Sequence, residues 1–254
     1  MIIWLASYPR SGNTLTRSIL HRVFDVAVPS IYAEDRSKAE YQWGQLIPAP
    51  ELLRSTGQSD SAFIESARRS DRLHIIKTHR LPGEGGEPAI VISRDGRAAI
   101  HSLDQYFRSF DHGARMLPEI IVGERGMPNW TQLNRAWLRR DAPTLHLRFD
   151  ALTGDLENAI ARIADFIEIK PKRDFPYTFA DMHAINPKFF RSGDDRNGIA
   201  EVESKAPALF WAVHGAMMTE LGYVDAPPPG SGRLSDRAVG ELKASFEALR
   251  GRAV

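Results

Sequence analysis

The short apolar run Ile2-Ile3-Trp4-Leu5-Ala6 breaks at Ser7-Tyr8-Pro9-Arg10-Ser11-Gly12 and is followed by a segment of helical period. No other stretch constrains the fold as strongly. The run has the length of a buried strand, Pro9 stops it, and Gly12 permits a tight turn. From Thr14 to Phe24 the apolar residues Leu15, Ile19, Leu20 and Val23 fall at helical spacing, so a helix starts at the turn. The first amides of such a helix lack intrahelical partners and its dipole is positive at that end, so the junction favours phosphate or sulfate oxygens. Arg10 adds fixed positive charge, and Ser11 and Thr14 add hydroxyl donors. The same residues also describe a plain strand-turn-helix connection with a solvated arginine. An ATP- or GTP-binding loop would read Gly, four residues, then Gly-Lys and Ser or Thr. Here Ser7 stands at the first glycine position and Gly12-Asn13-Thr14 replaces Gly-Lys-Thr, with the basic residue upstream at Arg10.

Three later segments repeat the strand-then-helix pattern or end a strand in polar residues. Pro88 to Ser93 reads as a buried strand, and Arg94-Asp95-Gly96-Arg97 turns into a helix carrying Ala98, Ile100, Ser102, Leu103 and Tyr106. Leu73 to His79 reads as a strand with Lys77, Thr78 and His79 at its carboxyl end. Thr144 to Asp150 followed by Leu156 to Ile167 reads as strand, then amphipathic helix. The alternation predicts an α/β fold, a central and mostly parallel sheet flanked by helices, with ligands gathered at the carboxyl ends of the strands.

A chain of 254 residues can bury one substantial core. We expect one domain over 1–225, a Pro/Gly linker at 226–234, and over 235–254 a terminal helix with a Ser235 cap and apolar Val239, Leu242, Phe246 and Leu249, packed on the same domain. A net charge of +1 gives no argument for bulk nucleic-acid or membrane binding, and the absence of cysteine removes disulfides and thiolate metal sites. Ile2 to Ala6 is too short to span a membrane, and Arg10 comes too early for a signal peptide, so a cytoplasmic location is the expectation.

Tyr8-Pro9-Arg10-Ser11-Gly12-Asn13-Thr14 resembles the phosphosulfate-binding loop of the PAPS-dependent sulfotransferases, usually written Tyr-Pro-Lys-Ser-Gly-Thr-Thr-Trp. PAPS is adenosine carrying a phosphosulfate on the 5′ side and a phosphate on the 3′ side. Arg10 stands for Lys, Asn13 for the first Thr, and Leu15 for Trp. The resemblance implies that Arg10, Ser11, Gly12, Asn13 and Thr14 bind the donor, and that Arg94 and Ser102, in register with a second family motif, hold the 3′-phosphate. Lys77-Thr78-His79-Arg80-Leu81-Pro82 is similar to the family's Lys-Thr-His-Leu-Pro, whose histidine is the general base, with one extra residue before Leu-Pro. Arg191-Ser192-Gly193 loosely resembles the family's Arg-Lys-Gly loop over the nucleotide, and Phe149 stands where an aromatic packs near the adenine. Gly126 to Trp130, followed by Trp137, resembles a segment preceding a helix that faces the acceptor, although tryptophans are more often core.

The implied reaction is in-line sulfuryl transfer from PAPS to an acceptor hydroxyl, less readily an amine, leaving 3′-phosphoadenosine phosphate (PAP). His79 would take the acceptor's proton, Lys77 and Arg10 would stabilise the growing negative charge, and no catalytic metal is expected. Aromatics in Pro29 to Ser70 (Tyr32, Tyr41, Trp43, Phe63) and in Phe107 to Trp130 would supply the acceptor pocket, for a small molecule, glycan or lipid alike. Two other readings stay open. One is a P-loop kinase or hydrolase with Mg²⁺ held by Thr14 and Asp95. The other is a catalytically silent nucleotide-binding module.

Overall fold

The computed structural model describes residues 1–32, 46–47, 59–109, 116–123, 126–187, 189–191 and 193–251. In chain order its elements are β1 (Ile2–Ser7), α1 (Asn13–Phe24), α2 (Asp60–Arg68), β2 (His74–Thr78), β3 (Ala89–Ser93), α3 (Gly96–Ser109), α4 (Leu117–Val122), α5 (Trp130–Leu138), β4 (Thr144–Arg148), α6 (Phe149–Gly154), α7 (Leu156–Ile167), α8 (Phe179–Ile185), α9 (Ile199–Lys205), α10 (Pro207–Glu220) and α11 (Asp236–Gly251). They fall into two compact units. The first comprises Met1–Ser7, Ser11–Ser93 and Trp137–Gly193, and the second Tyr8–Arg10, Arg94–Ala136 and Asp194–Val254.

The first unit holds a four-stranded sheet in the order β2-β1-β3-β4, every pairing parallel. Parallel strands are covered on both faces, and the inner ones here are apolar runs rather than alternating sequences. On one face Ile3, Leu5, Ile75, Ile90, Ile92 and Leu147 pack on Leu15, Ile19, Leu20 and Val23 of α1 and on Ile163 and Ile167 of α7. The other face puts Ile2 and Ile76 against Phe63 and Ala67 of α2. Burying one such aliphatic side chain contributes about 1.5–3 kcal/mol relative to leaving it exposed. Local signals set the helix ends. Gly12 opens α1 in a left-handed conformation, and the Asp155 side chain accepts from Asn158 N–H at the start of α7. Phe63, one of the aromatics expected at the acceptor pocket, is 6% exposed inside this core, while Tyr41 and Trp43 lie outside the described residues.

The second unit is helical. Asn129 caps α5 reciprocally: its Oδ1 accepts from Gln132 N–H, and its own N–H donates to Gln132 Oε1. Arg97 ties the start of α3 to α9 through Asp95 and Glu203, its guanidinium lying over the Trp211 ring. Ser235 caps α11 by accepting from Ala238 N–H, and Val239 is buried. Among the described residues no helix is long and apolar enough to cross a membrane.

His214 of α10 is fully buried beside the Trp130 and Phe210 rings, with Nδ1 at 2.9 Å from Thr131 Oγ1. Burial pushes its pKa down from 6.5 to about 3. Between those values the unfolded chain binds a proton that the folded chain refuses, so His214's contribution to stability is complete above pH 6.5 and is lost as pH falls. Urea unfolding of the unaltered protein should therefore lose up to about 1.4 kcal/mol per pH unit below pH 6 relative to His214→Gln. Parallel profiles for the two proteins would refute the assignment.

Candidate active site

In the first unit the polar residues converge on the carboxyl end of β1. Ser7 is fully buried, and its Oγ accepts from Asn13 Nδ2 at 3.2 Å. Its carbonyl oxygen lies 2.6 Å from His79 Nδ1. A carbonyl only accepts, so Nδ1 carries the proton and Nε2 is the basic nitrogen of the neutral ring. Sequence reading selected His79 but missed Ser7, which is 72 residues away in the chain and carries no motif signal of its own.

Tyr32 completes the setting of the histidine. Its hydroxyl accepts from His79 N–H at 2.7 Å, and its ring stacks on the imidazole at 5.9 Å and 20°. Lys77 Nζ lies 5.2 Å and Arg80 Cζ 5.4 Å from the centroid of that ring. Backbone bonds from Lys77 N–H to Pro29 O and from Ile31 N–H to Lys77 O run the Tyr32 segment alongside β2. Trp137, buried as core, donates from Nε1 to Arg80 O at 2.8 Å.

The turn before α1 is shaped for close approach. Gly12 sits at φ +107°, and a Cβ there would stand 2.6 Å from Phe149 Cδ2. Phe149 therefore closes against the loop itself. Among the described residues, Ser11 Oγ and Asn13 Oδ1 are buried and find no hydrogen-bond partner. Buried polar atoms are rarely left so, and they cluster where a ligand completes them. Turning the Asn13 amide over would keep its bond with Ser7, the Ser7 hydroxyl then donating to Oδ1, and leave Nδ2 as the unpartnered atom instead. A hydroxyl, an amide and a helix start together fit an anionic sulfate or phosphate. Arg191, its pKa lowered by burial, and Gly193, at φ +64°, belong to this unit. Ser192 lies outside the described residues.

In the second unit, Arg10 Nε donates to Ser102 Oγ at 3.2 Å, and Arg10 Cζ lies 5.4 Å over the ring of Tyr106, one turn further along α3. Arg94 donates to the carbonyls of Arg10, Asp194 and Asp195, and Trp130 Nε1 donates to Arg94 O at 3.0 Å. Burial lowers the Arg94 pKa, opposed by the charges of Asp195, Asp95 and Asp194. Tyr106 was read from sequence only as part of the helix pattern. Asp95 is engaged within its own turn: Oδ1 accepts from Arg97 N–H and Nε, and Oδ2 from Nη2. Among the described residues no group of three or more His, Cys, Asp or Glu side chains is placed to hold a metal ion. A cavity of about 410 Å³ in this unit, lined by Asn129, Arg135, Arg233 and Asp236 among others, includes none of the catalytic or donor-binding residues that the resemblance implies.

Fold and site define an α/β protein with a P-loop-like arrangement of first strand, turn and helix. A sequence profile for the sulfotransferase domain matches residues 2–182, and the chain belongs to that family. No curated protein matches it significantly. Among solved structures, a mouse sulfotransferase complexed with PAP is 18% identical, with a TM-score of 0.52 over 76% of this chain and 75% of its own. A retinol dehydratase in complex with androsterone and inactive cofactor PAP is 16% identical, with a TM-score of 0.52 over 90% of this chain and 82% of its own. Both share the fold.

Proposed function

We propose that this protein transfers a sulfuryl group from PAPS to a hydroxyl acceptor, less readily to an amine, with His79 as general base. The observation that most supports this reading is the bond between His79 Nδ1 and the Ser7 carbonyl. It sets the base, in its reactive tautomer, at the strand end that opens into the anion-binding loop. PAPS supplies the sulfuryl group and a phosphate leaving group. As the acceptor oxygen bonds to sulfur, its proton passes to His79 Nε2, and the electrons of the breaking S–O bond go to the departing phosphate. Lys77, 9% exposed, supplies positive charge as that phosphate leaves. Ser11, Asn13 and the first amides of α1 hold the phosphosulfate, and a phosphate needs no proton to depart. Acceptors are hydroxyls of small molecules, glycans or lipids, with Tyr32 forming an aromatic wall beside the base. We place the reaction in the cytoplasm, where the nucleotide donor is made.

The engagement of Asp95 by Arg97 counts against the Mg²⁺-nucleotide alternative, because both carboxylate oxygens are already bonded. Differential scanning tests donor recognition, with PAP added in EDTA and ATP with Mg²⁺ added in a separate arm without chelator. PAP at a hundred times its Kd should stabilise the fold by about 2.7 kcal/mol, whereas ATP with Mg²⁺ should stabilise it far less. Stabilisation by Mg²⁺-ATP and none by PAP would reverse the reading.

A further inference from the structure

Between His79 and Leu81-Pro82 stands Arg80, the residue that the family's Lys-Thr-His-Leu-Pro does not contain. Its backbone is held on both sides. The Arg80 N–H donates to Thr78 Oγ1 at 3.0 Å, and its carbonyl accepts from Trp137 Nε1 at 2.8 Å. The side chain reaches α2, where Nη2 donates to Asp60 Oδ2 at 3.0 Å. Its Cζ lies 5.4 Å from the centroid of the Tyr32 ring, which stacks on the His79 imidazole and whose hydroxyl accepts from the His79 N–H. Guanidinium and base therefore border one aromatic ring, and all of these residues belong to the first unit. Among the described residues the bond to Asp60 is the one hydrogen bond of the Arg80 side chain, which is 56% exposed. A guanidinium carries more N–H donors than one carboxylate oxygen uses.

Resting on sulfuryl transfer with His79 as base, we infer that Arg80 is a specificity-determining residue, and that the acceptor carries an oxyanion, a carboxylate or a sulfate ester, close to the hydroxyl that is sulfated. A hydroxyl within hydrogen-bond reach of His79 Nε2 brings its neighbouring substituents along the Tyr32 ring, where Arg80 supplies fixed positive charge. The planar group is held over that ring in advance, and its fork matches the paired oxygens of an oxyanion. Asp60 acts in two senses. It holds the guanidinium in place, and it competes with the acceptor's oxyanion for the same donors.

Labelled-sulfate transfer from PAPS to matched acceptor pairs tests the assignment. Hydroxyl acceptors on phenolic, sugar and alkyl scaffolds are offered as the carboxylate and as its amide, and in a second arm with and without a sulfate ester at the neighbouring position. The unaltered protein should favour the charged member in kcat/KM by roughly threefold to tenfold, the range for one exposed charge-assisted contact. The arm with the larger ratio identifies the oxyanion. Arg80→Gln should bring that ratio close to one, through KM rather than kcat, and Arg80→Lys should retain part of it. Asp60→Asn should raise the ratio, and added salt should lower it by screening. A ratio at or below one in the unaltered protein overturns the inference. So does a ratio unchanged by Arg80→Gln, whatever happens to the melting temperature, because Arg80 would then only tie β2 to α2. Transfer to no member of any pair, charged or uncharged, would instead sink the transfer reading.

Discussion

Gly12→Ala is expected to cost about 2–5 kcal/mol of stability, combining backbone strain with steric overlap. The residue sits at φ +107°, where L side chains are strained, and the added methyl would fall 2.6 Å from Phe149 Cδ2. These are separable costs. Phe149→Leu in the Gly12→Ala background should return the overlap share and leave a strain of about 1–3 kcal/mol, readable by urea unfolding. Donor binding should disappear in the single variant, because the methyl or the displaced ring moves the first amides of α1 away from the anion. A folded chain typically has only about 5–15 kcal/mol in hand, so a substantial part of the margin would go. A variant with unchanged unfolding and unchanged PAP affinity would contradict the loop geometry.

His79→Ala should lower kcat by about 10²- to 10⁴-fold while leaving PAP affinity within about twofold, the pattern for loss of a general base that does not hold the donor. The Ser7 carbonyl fixes the tautomer, so the loss concerns Nε2 alone. An imidazole added in solution should restore part of the rate in the alanine variant. Equal losses of kcat and PAP affinity would show a structural residue instead.

The sheet was legible because its strands are short apolar runs bounded by proline, glycine or polar residues, and all four stand where the runs at Ile3, Ile75, Val91 and Leu147 placed them. α10 left no readable period. Phe210, Trp211, His214, Met217 and Met218 are buried around much of its circumference, so no polar face marks it. At the site, the motif residues stood out because a turn, a charge and a helix start recur in register with the strands. The residues that set their geometry did not. Ser7 and Tyr32 act on His79 across 72 and 47 residues of chain. The direction of Arg10 depends on one left-handed backbone angle that no composition signals.

The most direct measurement is transfer of labelled sulfate from PAPS to a pool of hydroxylated acceptors in the presence of EDTA, run with the unaltered protein and with His79→Ala. The account predicts labelled product that survives chelation with the unaltered protein and falls toward background with the variant. Product formed equally by both proteins would contradict the base assignment. No product from an unaltered protein that binds PAP tightly would contradict catalysis itself and leave a silent nucleotide-binding module.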